Sequence, residues 1–252
     1  MSINNEDIIN IKLYQESGID ESYNETPCNF FELSNPIFIK KTEDNTPKSS
    51  TKNISIINAK QEAEKIIEKI SDINNLQKAI SNFTLSPLSK FATHPITGIG
   101  IKTPKLLVIT ETPNSEEDKN GIPLSGATGE LLKKILTAIN CSIETNTFVF
   151  PASFLRPAGG RNPTDEEMEI FKPFIKKFIE LLNPQIILTM GAIPTNILLN
   201  TNDSITSIRG TFKQYNNITL MATFSLPYLL NNIEAKKIAW KDLQLLIPKL
   251  EN

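Results

Sequence analysis

Histidine and tryptophan each occur once in the 252 residues, and cysteine only twice. Cys28 and Cys141 stand far apart, which excludes a disulfide framework and any metal-ligand spacing between them. No run approaches the ~20 apolar residues that a bilayer span needs, so no membrane association is expected. The opening MSINNEDIIN has neither the basic nor the apolar region of a signal peptide, and a cytoplasmic location is the expectation. Nor is there an excess of positive charge. The formal net charge is −2, made of −4 over residues 1–83 and +2 over 84–252. Any contact with nucleic acid must therefore be local rather than the work of a whole-surface field.

What remains is a globular composition, 39% hydrophobic and 21% charged. Apolar residues at Ile8, Ile9, Ile11, Leu13 and Tyr14 predict a short helix over 7–18, within an N-terminal helical segment 1–34. Residues 35–55 are rich in Lys, Thr, Ser, Pro and Asp and read as a flexible linker. A domain over 56–252 follows, beginning with helices over 56–70 and 74–83. Strand-like runs at 105–110, 147–153, 185–190 and 218–224 then alternate with helix-like segments at 128–139, 165–182, 193–199 and 234–246. Thr164, three residues before Glu167, marks one helix start as a capping box. Continuous apolar strands between helices predict an α/β fold, a three-layer α/β/α arrangement around a central four-stranded parallel sheet. Such sheets bind ligands beyond the carboxyl ends of their strands. The loops there are 111–126, 156–163, 191–194 and 225–230.

The composition of these loops is unusual. The first reads Thr110-Glu111-Thr112-Pro113-Asn114, then Glu117-Asp118, then Gly121-Ile122-Pro123-Leu124-Ser125-Gly126. The second is Arg156-Pro157-Ala158-Gly159-Gly160-Arg161-Asn162-Pro163. Gly191 follows the third strand, Arg209-Gly210 comes later, and the last loop is Ser225-Leu226-Pro227-Tyr228-Leu229-Leu230 before Trp240-Lys241-Asp242-Leu243. In this order the motifs resemble those of the uracil-DNA glycosylase superfamily, over about residues 74–246. The likeness is greatest to its iron–sulfur bacterial and archaeal branch, known as family 4. The resemblance implies the uracil-DNA glycosylase-like form of the fold, a DNA partner, and hydrolysis of the N-glycosidic bond of uracil in base-excision repair.

The departures from that pattern are specific. Where the branch has cluster cysteines this chain has Ser86, Leu155 and Phe171, with no cysteine near Thr84 either, so no cluster and no other metal or cofactor is expected. The ring that stacks on the flipped base is replaced by Leu124, the base-reading asparagine by Pro151, and the histidine of the last motif by Ser225. The sole histidine, His94, lies outside all four loops.

Glycosidic hydrolysis needs a carboxylate near the sugar and a donor near the departing base. The resemblance assigns the first task to Glu111 and leaves Ser225 for the second. Thr110, Thr112, Pro113, Leu124 and Pro151 are the expected base-side contacts. Arg156 and Arg161 are expected against phosphates, and Pro227 and Tyr228 where the base leaves the stack. Plainer roles are open for each: a loop-stabilising carboxylate, arginines paired with acids such as Asp165, and a Tyr228 packed beneath the crevice. Three functions stay in view, namely a weakened uracil-DNA glycosylase, a non-catalytic homologue binding DNA or a protein, and a glycosylase for another damaged base. A protein partner would be met through residues 1–55.

Overall fold

The protein's computed structural model describes residues 48–251, with side chains from residue 56 onward. The expected helix over 7–18 and the expected linker up to residue 47 lie outside the described residues. The first described helix, α1 (Lys48–Glu68), begins inside the stretch whose composition suggests a linker. Its Lys, Ser and Thr residues are ordinary helix members, so composition alone does not mark the start. Next come α2 (Ile73–Ser81) and a short edge strand β1 (Ile99–Gly100). The core strand β2 (Leu106–Thr110) leads through α3 (Ser115–Asn120) into α4 (Gly126–Ala138). β3 (Thr147–Pro151) is followed by α5 (Asp165–Leu182), and β4 (Ile186–Met190) by α6 (Ala192–Leu199). The chain ends in α7 (Ile205–Ile208), β5 (Phe212–Tyr215), β6 (Ile218–Thr223), α8 (Leu226–Asn231) and α9 (Ile233–Glu251).

The sheet runs β1-β3-β2-β4-β6-β5. Its inner four strands are parallel, as the apolar runs predict, and β1 and β5 add an antiparallel strand at each edge. The edge strands are invisible to apolar patterning because β1 is two residues long and β5 is largely exposed. A signal for β5 does exist. Asn216 and Asn217, both at positive φ (47° and 67°), form the two-residue turn that joins β5 to β6.

The strict two-residue period of the strands separates the layers. Leu107 and Ile109 join Phe148, Phe150 and Ile187 under α1, α2 and α5, whereas Leu106 and Val108 join Val149, Leu188 and Met221 under α4 and α9. Both faces are thus covered, giving the three-layer α/β/α architecture. Glu167 closes the capping box on Thr164, and α5 ends at Asn183 in the left-handed conformation. Among the described residues no helix is long and apolar enough to cross a membrane.

The positions that resemble cluster ligands are built for packing. Leu155 and Phe171 are buried in the first core cluster, and Phe171 meets Phe154 edge-on at 5.7 Å. Ser86 is buried and caps a turn of 3₁₀ helix, its oxygen accepting from the Leu88 N–H at 3.3 Å. Hydrocarbon at two of these positions cannot ligate iron, so the residues present do not fit such a cluster.

Candidate active site

The carboxyl ends of β3, β2, β4 and β6 bring the four loops to one edge of the sheet. Beside the end of β2, residues of the first, second and last loops enclose a cleft of about 290 Å³, while the 191–194 loop stays outside its wall. Its wall begins with Thr110, Glu111, Thr112 and Pro113, which leave β2 in succession. Asn114 then stops the chain from running on. Its side chain caps α3 by accepting from the N–H groups of Glu116 and Glu117 at 2.8 and 2.9 Å. It also donates to the Ser125 carbonyl and the Thr128 hydroxyl, both at 2.8 Å. One amide thereby ties the start of the loop to its end.

Glu117 is the other brace. Its carboxylate accepts from the Asn114 N–H at 2.9 Å and the Leu124 N–H at 2.8 Å. The second bond matters because Leu124 sits at φ 60°, a strained conformation for a leucine. Gly129 presses from the other side, where a Cβ would lie 2.0 Å from the Leu124 carbonyl oxygen. Leu124 is so held as the apolar floor of the cleft, 5% exposed. Neither Asn114 nor Glu117 is among the site residues expected from sequence, and the signal that marks them is the Asn-x-x-Glu capping spacing.

Glu111 has an unusual position. Its carboxylate accepts from the Ile193 N–H at 3.4 Å, at the start of α6. Burial pushes its pKa above the ordinary glutamate value of 4.5, and the backbone N–H groups of Ile193 and Ala192 and the Ser225 side chain partly offset this. The approach is possible because residue 191 is glycine: φ is 112°, and a Cβ would stand 2.3 Å from the Glu111 carboxyl. A buried hydroxyl chain fixes the same turn, Thr195 donating to the Gly191 carbonyl at 2.7 Å and meeting Thr189 at 2.8 Å. The result is a partly desolvated carboxylate, aimed by a helix N-terminus and open on one side to the cleft.

The remaining expected site residues divide. Arg156 lines the cleft, as does Pro227. Arg161 does not: Glu167 takes its guanidinium in two bonds of 2.8 and 2.7 Å, so it braces the capping box rather than waiting for a phosphate. Pro151 is buried at the end of β3, in register with Thr110, and is not part of the wall. Ser225 also lies outside the wall. It makes no cap bond to α8, and its side chain lies near enough to Glu111 to draw that carboxyl's pKa down. Tyr228 is half exposed at the rim, its ring tilted on Phe224 at 5.1 Å and its hydroxyl accepting from Asn232 at 3.2 Å.

Behind the last loop stands a buried polar hub. Asp242 of α9, 3% exposed, pairs with the Arg209 guanidinium and accepts from the Thr223 hydroxyl at 2.8 Å. Arg209 also lies over the Phe224 ring, 5.0 Å from its centroid. The hub therefore ties α9 to the end of β6 and to Phe224, just before the last loop. Among the described residues no group of three or more His, Cys, Asp and Glu could hold a metal ion.

The family model described as the uracil DNA glycosylase superfamily matches residues 97–244. The chain is similar to the type-4 uracil-DNA glycosylase of Sulfurisphaera tokodaii, 25% identical over 183 residues that cover 69% of this chain and 82% of that one. The corresponding protein of Thermotoga maritima is 28% identical over 173 residues, 67% of this chain and 90% of its own. That of Saccharolobus solfataricus is 28% identical over 163 residues, 62% and 76% of the two chains.

Proposed function

The chain belongs to the uracil-DNA glycosylase superfamily, and from that premise we propose that it hydrolyses the N-glycosidic bond of uracil in DNA in base-excision repair. The type-4 uracil-DNA glycosylases it resembles support this substrate. The observation that carries the reading is Glu111, a carboxylate brought into the cleft by the strand end and held there by the first N–H groups of α6. Hydrolysis proceeds once the nucleotide is turned out of the duplex, at a cost of about a few kcal/mol. In the cleft Glu111 would face the sugar, take a proton from the attacking water and stabilise positive charge on C1′. Leu124 would support the base through apolar contact. A leucine gives up the stacking of a ring, worth on the order of 1–3 kcal/mol, so the reading includes reduced activity. It also places the protein in the cytoplasm.

The test is release of uracil from single- and double-stranded oligonucleotides, followed as alkali-labile abasic sites. Wild-type protein should produce them, and Glu111→Gln should do so at least about 10²-fold more slowly. Absence of release from both substrates by the folded wild-type protein would remove the enzymatic reading and leave a DNA-binding homologue.

The electrostatics of Glu111 add a pH expectation. Because burial raises its pKa, the catalytic carboxylate is lost by protonation at a higher pH than an ordinary glutamate would be. The acid limb of the rate profile should therefore lie above pH 4.5, the unshifted value. The sign for stability is the reverse of a salt-bridged carboxylate. The folded state binds the proton more tightly, so the stabilisation is complete below 4.5 and fades as pH rises through the folded pKa. Glu111→Gln should accordingly melt no lower than wild type at neutral pH while losing activity, which calorimetry on the two proteins would check.

A further inference from the structure

We infer that Arg156 stabilises the departing base, the task that the superfamily's pattern gives to a histidine where this chain has Ser225; this rests on the glycosidic-hydrolysis reading above. The chemistry asks for two opposite charges in one cleft. When the C1′–N1 bond breaks, its electron pair leaves with the base and spreads over N1, O2 and O4. The water oxygen bonds to C1′ and its proton passes to the Glu111 carboxylate. The base then departs as an anion that solvent protonates.

Within the cleft wall only one side chain carries positive charge, and it is Arg156. It has no hydrogen bond or ion pair with any described residue. Neighbouring side-chain donors are already committed: the Asn114 amide bonds Ser125 and Thr128, and Arg161 is taken by Glu167. The Thr112 and Ser115 hydroxyls that share the wall carry no charge. The placement of Arg156 also has a structural cause. Gly160 lies beneath its guanidinium at φ 70°, and a Cβ there would stand 2.6 Å from Nη2. Any other residue would push the guanidinium away.

A guanidinium suits the task. It stays charged throughout the physiological range, and its planar fork can donate to two adjacent acceptors such as N1 and O2 of the uracil anion. Arg156 is half-buried in the cleft, where a charge is screened less than in open water.

The experiment compares single-turnover release of uracil and of 5-fluorouracil, the better leaving group, by wild type, Arg156→Ala, Arg156→Lys and a Glu111→Ala control. Affinity for an oligonucleotide with uncleavable 2′-fluoro-deoxyuridine is measured alongside, as a function of salt. Arg156→Ala should slow uracil release by about 10²–10³, the effect of deleting one anion-stabilising donor. Its deficit should shrink on 5-fluorouracil, Arg156→Lys should recover part of the rate, and affinity and its salt slope should stay near wild type. A deficit equal on both bases, with weaker binding and a salt slope smaller by about one, would overturn the inference and make Arg156 a phosphate contact. Unchanged release would overturn it too. If wild type releases neither base above the Glu111→Ala control, the glycosidic-hydrolysis reading itself fails and takes this inference with it.

Discussion

Asp242→Ala is expected to be the most damaging single substitution in the described part of the chain. The carboxylate is 3% exposed and is shared by Arg209 and Thr223, so its removal strands a guanidinium that is itself mostly covered. Breaking a buried pair by deleting one partner costs about 3–5 kcal/mol. The lower end applies here, because the Arg209 side chain keeps 19% exposure and can reach some water. At about 2–4 °C per kcal/mol for a unit of this size, the melting midpoint should fall by roughly 6–12 °C. Asp242→Asn keeps an acceptor for Thr223 and should lose less. Thermal unfolding by circular dichroism would check both, and a fall of under about 1 kcal/mol for the alanine variant would show that the hub is not what holds α9 to the strand end.

The second large effect is expected from Gly191→Ala. At φ 112° and ψ 173° the residue occupies a region that is essentially glycine's alone, so an alanine costs about 1–3 kcal/mol in strain. The new methyl also meets the Glu111 carboxyl at 2.3 Å and must drive it from the helix N-terminus. Stability should fall by about that amount, and, on the proposed glycosidic-hydrolysis reading, uracil release should fall with it. The two contributions can be separated, because Glu111→Ala removes the obstacle. In a Gly191→Ala/Glu111→Ala double variant the stability losses should fall short of the sum by about 1 kcal/mol or more. Additive losses would show that the carboxylate is not where Gly191 leaves room for it.

These two sites also show what the sequence could and could not reveal. The inner strands are legible because burial on both faces turns them into unbroken apolar runs, such as Leu106 to Ile109. The convergence of the four loops follows from parallel strands, whose carboxyl ends all lie at one edge. Side-chain direction is another matter. Arg156 and Arg161 flank the same Pro-Gly-Gly region and look equivalent in sequence, yet Glu167, already committed to a helix cap, claims only the second. Ser225 stands where the resemblance leads one to expect a histidine, yet it lies outside the cleft wall, beside Glu111. Such choices depend on which partner lies within reach in the folded chain, and a linear pattern does not record that.

The packed corner around Phe154, Leu155 and Phe171 bears on how the protein matures. A domain that closes this corner around a metal cluster has to wait for delivery of iron and sulfide before its last buried surface can form. Here Phe154, Leu155 and Phe171 are packed in the apolar core, and burying one such side chain contributes about 1.5–3 kcal/mol. Closure of this corner therefore rests on apolar burial, with no ligand bond to be made by Leu155 or Phe171.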